Sequence, residues 1–126
     1  MNGILNDQTR IYEQIARLIE DGILNGEYPP DAQVPSTNEL AHVFGINPAT
    51  AAKGINRLVD EGLLYKKRGI GMFVAGNAAA EVRRKRRQTF MDEELRALAR
   101  EAKQLGLRRE ELLALLAAQA DEEGLQ

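Results

Sequence analysis

The 126 residues of the chain allow one domain with a modest core, or one small domain with an appended helical element. The absence of cysteine excludes disulfides, thiolate zinc sites and cysteine nucleophiles, and it fits a reducing cytoplasm. The net charge of −2 excludes little, because acidic and basic residues are clustered separately and partners respond to the local field.

The N-terminal part of the chain predicts a helix and no targeting segment. Residues 1 to 10 lack the basic and apolar regions of a signal peptide, and no apolar run approaches the ~18 residues of a membrane span. We therefore expect a cytoplasmic protein without membrane contact. Residues 8 to 25 carry apolar side chains at helical spacing, which predicts a helix with one buried stripe. The stripe consists of Ile11, Ile15, Leu18, Ile19 and Ile23.

Two short helices joined by a tight turn are predicted next. Ser36 and Glu39 have the spacing of a capping box at the start of the first helix. Its expected apolar side consists of Leu40, Ala41, Val43 and Phe44. Asn47 as N-cap and Pro48 at the first position begin the second helix, which is predicted to end near Glu61. Two helices separated by a short turn that contains glycine are typical of a helix-turn-helix.

The region after Gly62 has the pattern of strands. The segments "LLYKK", "RGIG" and "MFVAG" predict two short strands around a glycine turn, which is a β-hairpin wing. The fold class predicted is therefore mainly α with a small β-hairpin. The composition changes at residue 77, so we place a domain boundary near 76, between a winged helix-turn-helix (1–76) and a helical tail (77–126).

The tail is predicted to form a long amphipathic helix that ends at Gly106 and a last helix over about residues 108 to 120. Two such helices cannot bury their apolar faces alone, so they must pack on the first domain or on a second copy. We favour a homodimer, because two-fold dimers are the commonest oligomers. The predicted interface consists of Phe90, Leu95, Leu98, Leu105, Leu112, Leu113 and Leu116.

Residues 11 to 74 carry an ordered set of short motifs: "YEQI", "G.Y.P...VPS..ELA", "T.......L...GL" and "RG.G.FV". This set resembles the GntR family of bacterial transcriptional regulators. The tail, which contains "LGLRREELLALL", is similar to that of the YtrA-type subfamily. The resemblance implies a dimeric winged helix-turn-helix repressor that binds an inverted repeat in DNA. It also implies control of a transporter operon, which is common in that subfamily.

The second helix of a helix-turn-helix enters the major groove with its N-terminal part. Five residues are predicted on its outward face: Ala49, Thr50, Lys53, Asn56 and Arg57. Threonine can donate to a base or phosphate, alanine can contact a thymine methyl group, and lysine can meet a phosphate or a guanine. The alternative is a solvated helix face.

Arginines frequent in the family fall here on Asn38, Pro48 and Ala52. Contacts from backbone N–H groups at the helix start, near Asn47, are therefore expected instead of bidentate arginine contacts. Ser36 and Thr37, together with Asn38, form the start of the preceding helix, where a phosphate can also be held. For Ser36, pure capping is an equal alternative.

Two further basic segments are candidates for phosphate contact. The wing supplies Lys66, Lys67 and Arg68, followed by Gly69 and Gly71, which allow a tight turn and a close approach to DNA. The second segment is a run of five cations: Arg83, Arg84, Lys85, Arg86 and Arg87. For this run we favour a solvated helix turn with partners in Glu81 and the acids that follow, over extra phosphate contacts.

The residues point to no catalytic chemistry. His42 is the only histidine, and there is no phosphate-binding loop, so we expect no metal, no cofactor and no enzyme activity. The sequence therefore predicts a sequence-specific regulator that binds double-stranded DNA as a homodimer, and it identifies no effector. The alternative is a winged helix that binds proteins and does not bind DNA specifically. The scarcity of arginine in the recognition helix is consistent with this alternative.

Overall fold

The computed structural model describes the chain from Asp7 onwards, with side chains described from Ile11. The helices and strands are α1 (Asp7–Leu24), α2 (Thr37–Phe44), α3 (Pro48–Asp60), β1 (Leu64–Lys67), β2 (Gly71–Val74), α4 (Ala78–Thr89), a π-helical turn (Phe90–Glu94), α5 (Leu95–Gln104) and α6 (Arg109–Glu122). The predicted class, mainly helical with one hairpin, is confirmed. The chain divides into two compact units, a first that ends at Lys85 and a second formed by Arg86–Gln126.

The core of the first unit lies where α1 and α2 pack on α3, with the hairpin beside it. Its largest fully buried side chains are Ile19, Ile55, Leu58, Val74 and Val82. The predicted stripe on α1 is wrong at Leu18, which is 46% exposed, while Ala16 is buried. Successive residues turn by about 100° around a helix, so the buried arc from Ile15 to Ala16 leaves Leu18 to one side.

The start of α2 forms the predicted capping box. The N–H of Glu39 donates to Ser36 Oγ at 3.0 Å, and the N–H of Ser36 donates to Glu39 Oε1 at 2.9 Å. Gly45 ends the helix with φ +62°. The predicted apolar side of α2 is only half correct, because Leu40 and Ala41 are buried but Val43 and Phe44 are exposed. Val43 lies outside the arc of the helix that Leu40 and Ala41 define. Phe44 is the last residue of α2.

The capping box gives the first prediction. Ser36→Ala should lower the free energy of unfolding by about 1 kcal/mol, because one N–H of the first turn loses its acceptor. Hydrogen bonds from the backbone and then the side chain of Ser36 lower the pKa of Glu39. A carboxyl whose pKa is lowered in the folded state stabilises the fold above its unfolded pKa, and this stabilisation disappears as the pH falls through the folded value. Thermal unfolding followed from neutral to acid pH should show this loss in the parent and a smaller loss in Ser36→Ala.

The first unit extends beyond the predicted boundary near residue 76. Ala78 and Val82 of α4 are completely buried in the same core as α1 and α3. In the next turn, the ammonium group of Lys85 contacts the carboxylate of Glu20 and, at 3.0 Å, that of Glu61. The change of composition at residue 77 therefore marks the start of a helix and not the end of the domain.

The second unit leaves most of its apolar side chains in contact with solvent. Of its residues, only Ala102 is buried in the part of the chain that the structure describes. The exposed large apolar side chains are Phe90, Met91, Leu95, Leu98, Leu105, Leu113, Leu115, Leu116 and Leu125. Its helices agree closely with the predicted ones. Within the described residues, no helix combines the length and the apolar character needed to cross a membrane.

Candidate nucleic-acid interface

The outward face of α3 borders an open groove of about 660 Å³. Its walls are Tyr12 of α1 and, from α3 and its C-cap, Ala49, Ala52, Lys53, Asn56, Arg57, Asp60 and Glu61. Three residues of the predicted reading face, Ala49, Lys53 and Asn56, are exposed here. The groove is therefore bordered by small side chains at the start of α3 and by charged ones towards its end.

Lys53 lies over the aromatic ring of Tyr12. Its Nζ atom is 4.7 Å from the ring centroid, which is within the range of a cation–π interaction. The contact holds the ammonium group at the edge of the groove and restricts the long side chain before any ligand binds. Tyr12 was not predicted as a site residue; the signal for it was its place in the "YEQI" motif, on a helix that packs against α3.

Thr50 does not belong to the outward face. Its side chain is 7% exposed, so the prediction that it projects towards DNA is wrong. The cause is Gly54, where a Cβ atom would come within 2.8 Å of the carbonyl oxygen of Tyr12. The absence of a side chain lets the backbone of α1 approach α3 on this side, and the buried arc of α3 extends as far as Thr50.

The backbone N–H groups at the start of α3 already have partners. The N–H of Ala49 donates to Asn47 Oδ1 at 2.8 Å, and the N–H of Thr50 donates to the carbonyl oxygen of Asn47 at 2.9 Å. The expected anion contact from these donors is therefore not supported, because Asn47 caps the helix internally. At the start of α3, the groups that remain available to a ligand are therefore the side chains.

The start of α2 shows a similar division between capping and exposure. The Ser36 hydroxyl accepts the N–H of Glu39 in the capping box, so the predicted cap is present. Thr37 is half-buried and Asn38 is exposed. Ser36 and Asn38 are thus the two exposed residues of the three predicted contacts in this segment.

The wing presents its basic residues to solvent. Lys66, Lys67 and Arg68 are exposed, and Lys67 Nζ lies 4.4 Å from the ring centroid of Phe73. Gly69 and Gly71 have φ values of +76° and +152°, which residues with a side chain rarely adopt. The predicted glycine turn and the exposure of the three cations are therefore present.

The basic run 83–87 is not one cationic surface. Arg84 Nε is 3.0 Å from Glu81 Oε2, as the acid-paired interpretation expected. Lys85 fits neither the favoured solvated turn nor the alternative of a phosphate contact, because its ammonium group contacts Glu20 and Glu61 within the first unit. Arg83 and Arg87 are exposed, and Arg86 is half-buried.

The described residues contain no group of three or more histidine, aspartate or glutamate side chains that could hold a metal ion. His42 is exposed on α2, as expected. The exposed cations that the fold presents beside the groove and on the wing are suited to binding a negatively charged polymer.

Comparisons with known proteins place these elements in a family. The family model described as "Bacterial regulatory proteins, gntR family" matches residues 11–74. The transcriptional repressor NagR of Bacillus subtilis is 45% identical over 65 residues, which are 52% of this chain and 27% of NagR. The repressor YtrA of the same organism is 33% identical over 104 residues, which are 82% of this chain and 79% of YtrA.

A solved structure agrees over nearly the whole chain. A GntR-family transcriptional regulator from Bacteroides thetaiotaomicron is 32% identical, with a TM-score of 0.73, and the match covers 90% of this chain and 99% of that one. The chain spans about a quarter of NagR but most of YtrA, and the match to YtrA supports the predicted subfamily. The chain therefore belongs to the GntR family of bacterial transcriptional regulators, and residues 11–74 of its first unit are that family's helix-turn-helix DNA-binding domain.

Proposed function

We propose that this protein is a cytoplasmic transcriptional repressor that binds an inverted-repeat operator as a homodimer, and that it is not an enzyme. The observation that carries the proposal is the exposed face of α3, where Ala49, Lys53 and Asn56 border one groove. A helix in this place of a helix-turn-helix is the element that enters the major groove. NagR and YtrA are both described as repressors, which supports repression over activation.

The exposed side chains support a mixed mode of reading. Asn56 has the two-sided amide that pairs with adenine, Lys53 can donate to guanine or to a phosphate, and Ala49 is small enough to contact a thymine methyl group. Lys66, Lys67 and Arg68 of the wing supply cations for the DNA backbone, and such contacts position a protein without specifying sequence. Specificity would then depend on few side chains, with affinity supplied by the wing.

The homodimer is supported by the apolar side chains of the second unit. Phe90, Leu95 and Leu98 are exposed in the single chain, as are the other predicted interface residues Leu105, Leu113 and Leu116, while Leu112 is half-buried. So many large apolar side chains exposed in one unit favour an interface that covers them. A second copy would cover it and would bring two reader helices to half-sites about one DNA turn apart.

Control of a transporter operon belongs to the proposal through the similarity to the YtrA-type subfamily. Anisotropy titration with the DNA upstream of the protein's own gene, against a shuffled duplex, would test the proposal. We expect a specific complex with a Kd below about 1 μM at moderate salt. Equal, weak binding to both duplexes would contradict it and would favour a protein-interaction module.

Lys53 gives the second prediction. Lys53→Ala should weaken operator binding about tenfold, because a base or phosphate contact of lysine is worth roughly 1–3 kcal/mol. Thermal stability should change little, since Lys53 is exposed. The control is Lys103→Ala, which removes an exposed helical lysine of the second unit. Equal affinities for both variants would exclude Lys53 from the interface.

A further inference from the structure

The segment before α2 pairs with β2 of the wing through an isolated antiparallel bridge. The N–H of Asp31 donates to the carbonyl oxygen of Val74 at 2.8 Å, and the N–H of Val34 donates to that of Met72 at 3.0 Å. Gln33 and Phe73 form an antiparallel bridge between these two bonds. The base of the hairpin is therefore attached to residues more than thirty positions earlier in the chain.

A second anchor lies on Tyr65 of β1. Its hydroxyl donates to Asp31 Oδ1 at 2.6 Å, and its ring stacks on Phe73 with centroids 5.8 Å apart. The hydrogen bond to Asp31 raises the pKa of the Tyr65 hydroxyl, so the phenol keeps its proton and remains a donor. These contacts hold the strands of the wing but do not reach its tip.

The tip is held from the same segment by the side chain of Gln33. Its Nε2 atom donates to the carbonyl oxygen of Ile70 at 3.0 Å. The amide group also occupies the space beside Gly71, where any Cβ atom would collide with it. The turn is also closed by the N–H of Ile70, which donates to the carbonyl oxygen of Lys67 at 2.9 Å.

We propose that Gln33 is a positioning residue for DNA binding, which holds the wing tip, Arg68–Ile70, in the conformation that contacts DNA. The proposal rests on the proposed DNA-binding function. A flexible tip must lose conformational entropy when it binds, and a tip that is already ordered avoids that cost. Gln33 would thus determine how effectively Lys67 and Arg68 contribute, without contacting DNA itself.

The variant that tests this is Gln33→Met, which keeps the length of the side chain and removes the donor. We expect operator affinity to fall about three- to tenfold, the effect of one lost hydrogen bond. Hydrogen exchange at residues 68 to 71 should become faster, while the melting temperature changes little. Gln14→Met is the matched control, because Gln14 is exposed on α1 and does not line the groove beside α3.

A double-mutant cycle separates positioning from direct contact. In a Lys67→Ala/Arg68→Ala background, Gln33→Met should cause little further loss of affinity, because the wing contacts that it organises are already absent. Additive losses would overturn the proposal and would mean that Gln33 contacts DNA directly. Unchanged exchange at the wing tip in Gln33→Met would overturn it as well.

The failure of the proposed function has a different signature. If the wild-type protein has no specific complex with its upstream DNA, the DNA-binding function itself fails. If Lys53→Ala weakens binding but the Lys67→Ala/Arg68→Ala variant does not, the wing makes no contribution. In that case only the role of Gln33 is lost.

Discussion

We expect Leu98→Glu to convert the proposed homodimer to a monomer and to weaken operator binding by about 100-fold or more. Leu98 is an exposed apolar side chain in the helical second unit. In a two-fold interface each residue occurs twice, so one substitution buries two carboxylates without partners. Each monomer would then bind a single half-site, and the gain from linking two binding events would disappear.

Sedimentation at micromolar concentration, together with operator titration, would measure both effects. The control is Leu125→Glu, the same substitution at an exposed leucine after the end of α6 and outside the predicted interface. It should leave the oligomeric state and the affinity unchanged. If Leu98→Glu remains a dimer, the apolar face of α5 is not the interface, and the second copy must bind elsewhere.

Val82→Asp should lower the free energy of unfolding of the first unit by about 3 kcal/mol or more, because it buries a carboxylate without a partner. Val82 has no exposed surface and packs in the core of the first unit. This is the largest stability effect that we expect from one residue of α4. Denaturant unfolding, followed by a signal from Tyr12 or Tyr28 of the first unit, would measure it.

Ala80→Asp is the matched control, since Ala80 lies on the same helix and is exposed. It should change stability by less than about 0.5 kcal/mol. If Val82→Asp unfolds at the denaturant concentration of the parent, α4 does not belong to the first unit, and the boundary near residue 76 would be restored. For the same reason, a truncated DNA-binding domain should end after Lys85 and not after Gly76.

Some features were predictable because they depend on neighbours in the chain. The capping box of Ser36 and Glu39 and the cap that Asn47 forms at the start of α3 each satisfy backbone donors within three residues. The two strands of the wing are joined by the glycine turn at 69 to 71, and they were predicted from the sequence equally well. Local hydrogen bonding and backbone stereochemistry decide these elements, so the amino-acid sequence alone is sufficient to predict them.

The candidate site was only partly predictable, because helical spacing defines a face but not its edges. Lys53 and Asn56 are exposed as predicted, whereas Thr50 is buried because Gly54 admits the backbone of α1. Tyr12, on α1, borders the groove although it lies more than thirty positions before the groove residues of α3. No periodicity within α3 contains information about that neighbour.

The sequence by itself determined the order of the elements, their caps and the family, since these follow from short segments and their succession. The tertiary structure decided which cations remain available: Lys85 contacts Glu20 and Glu61, while Lys66, Lys67 and Arg68 remain exposed on the wing. It also decided where the DNA-binding domain ends, by burying Ala78 and Val82. Both outcomes depend on contacts between residues distant in the chain, which form only when the helices pack.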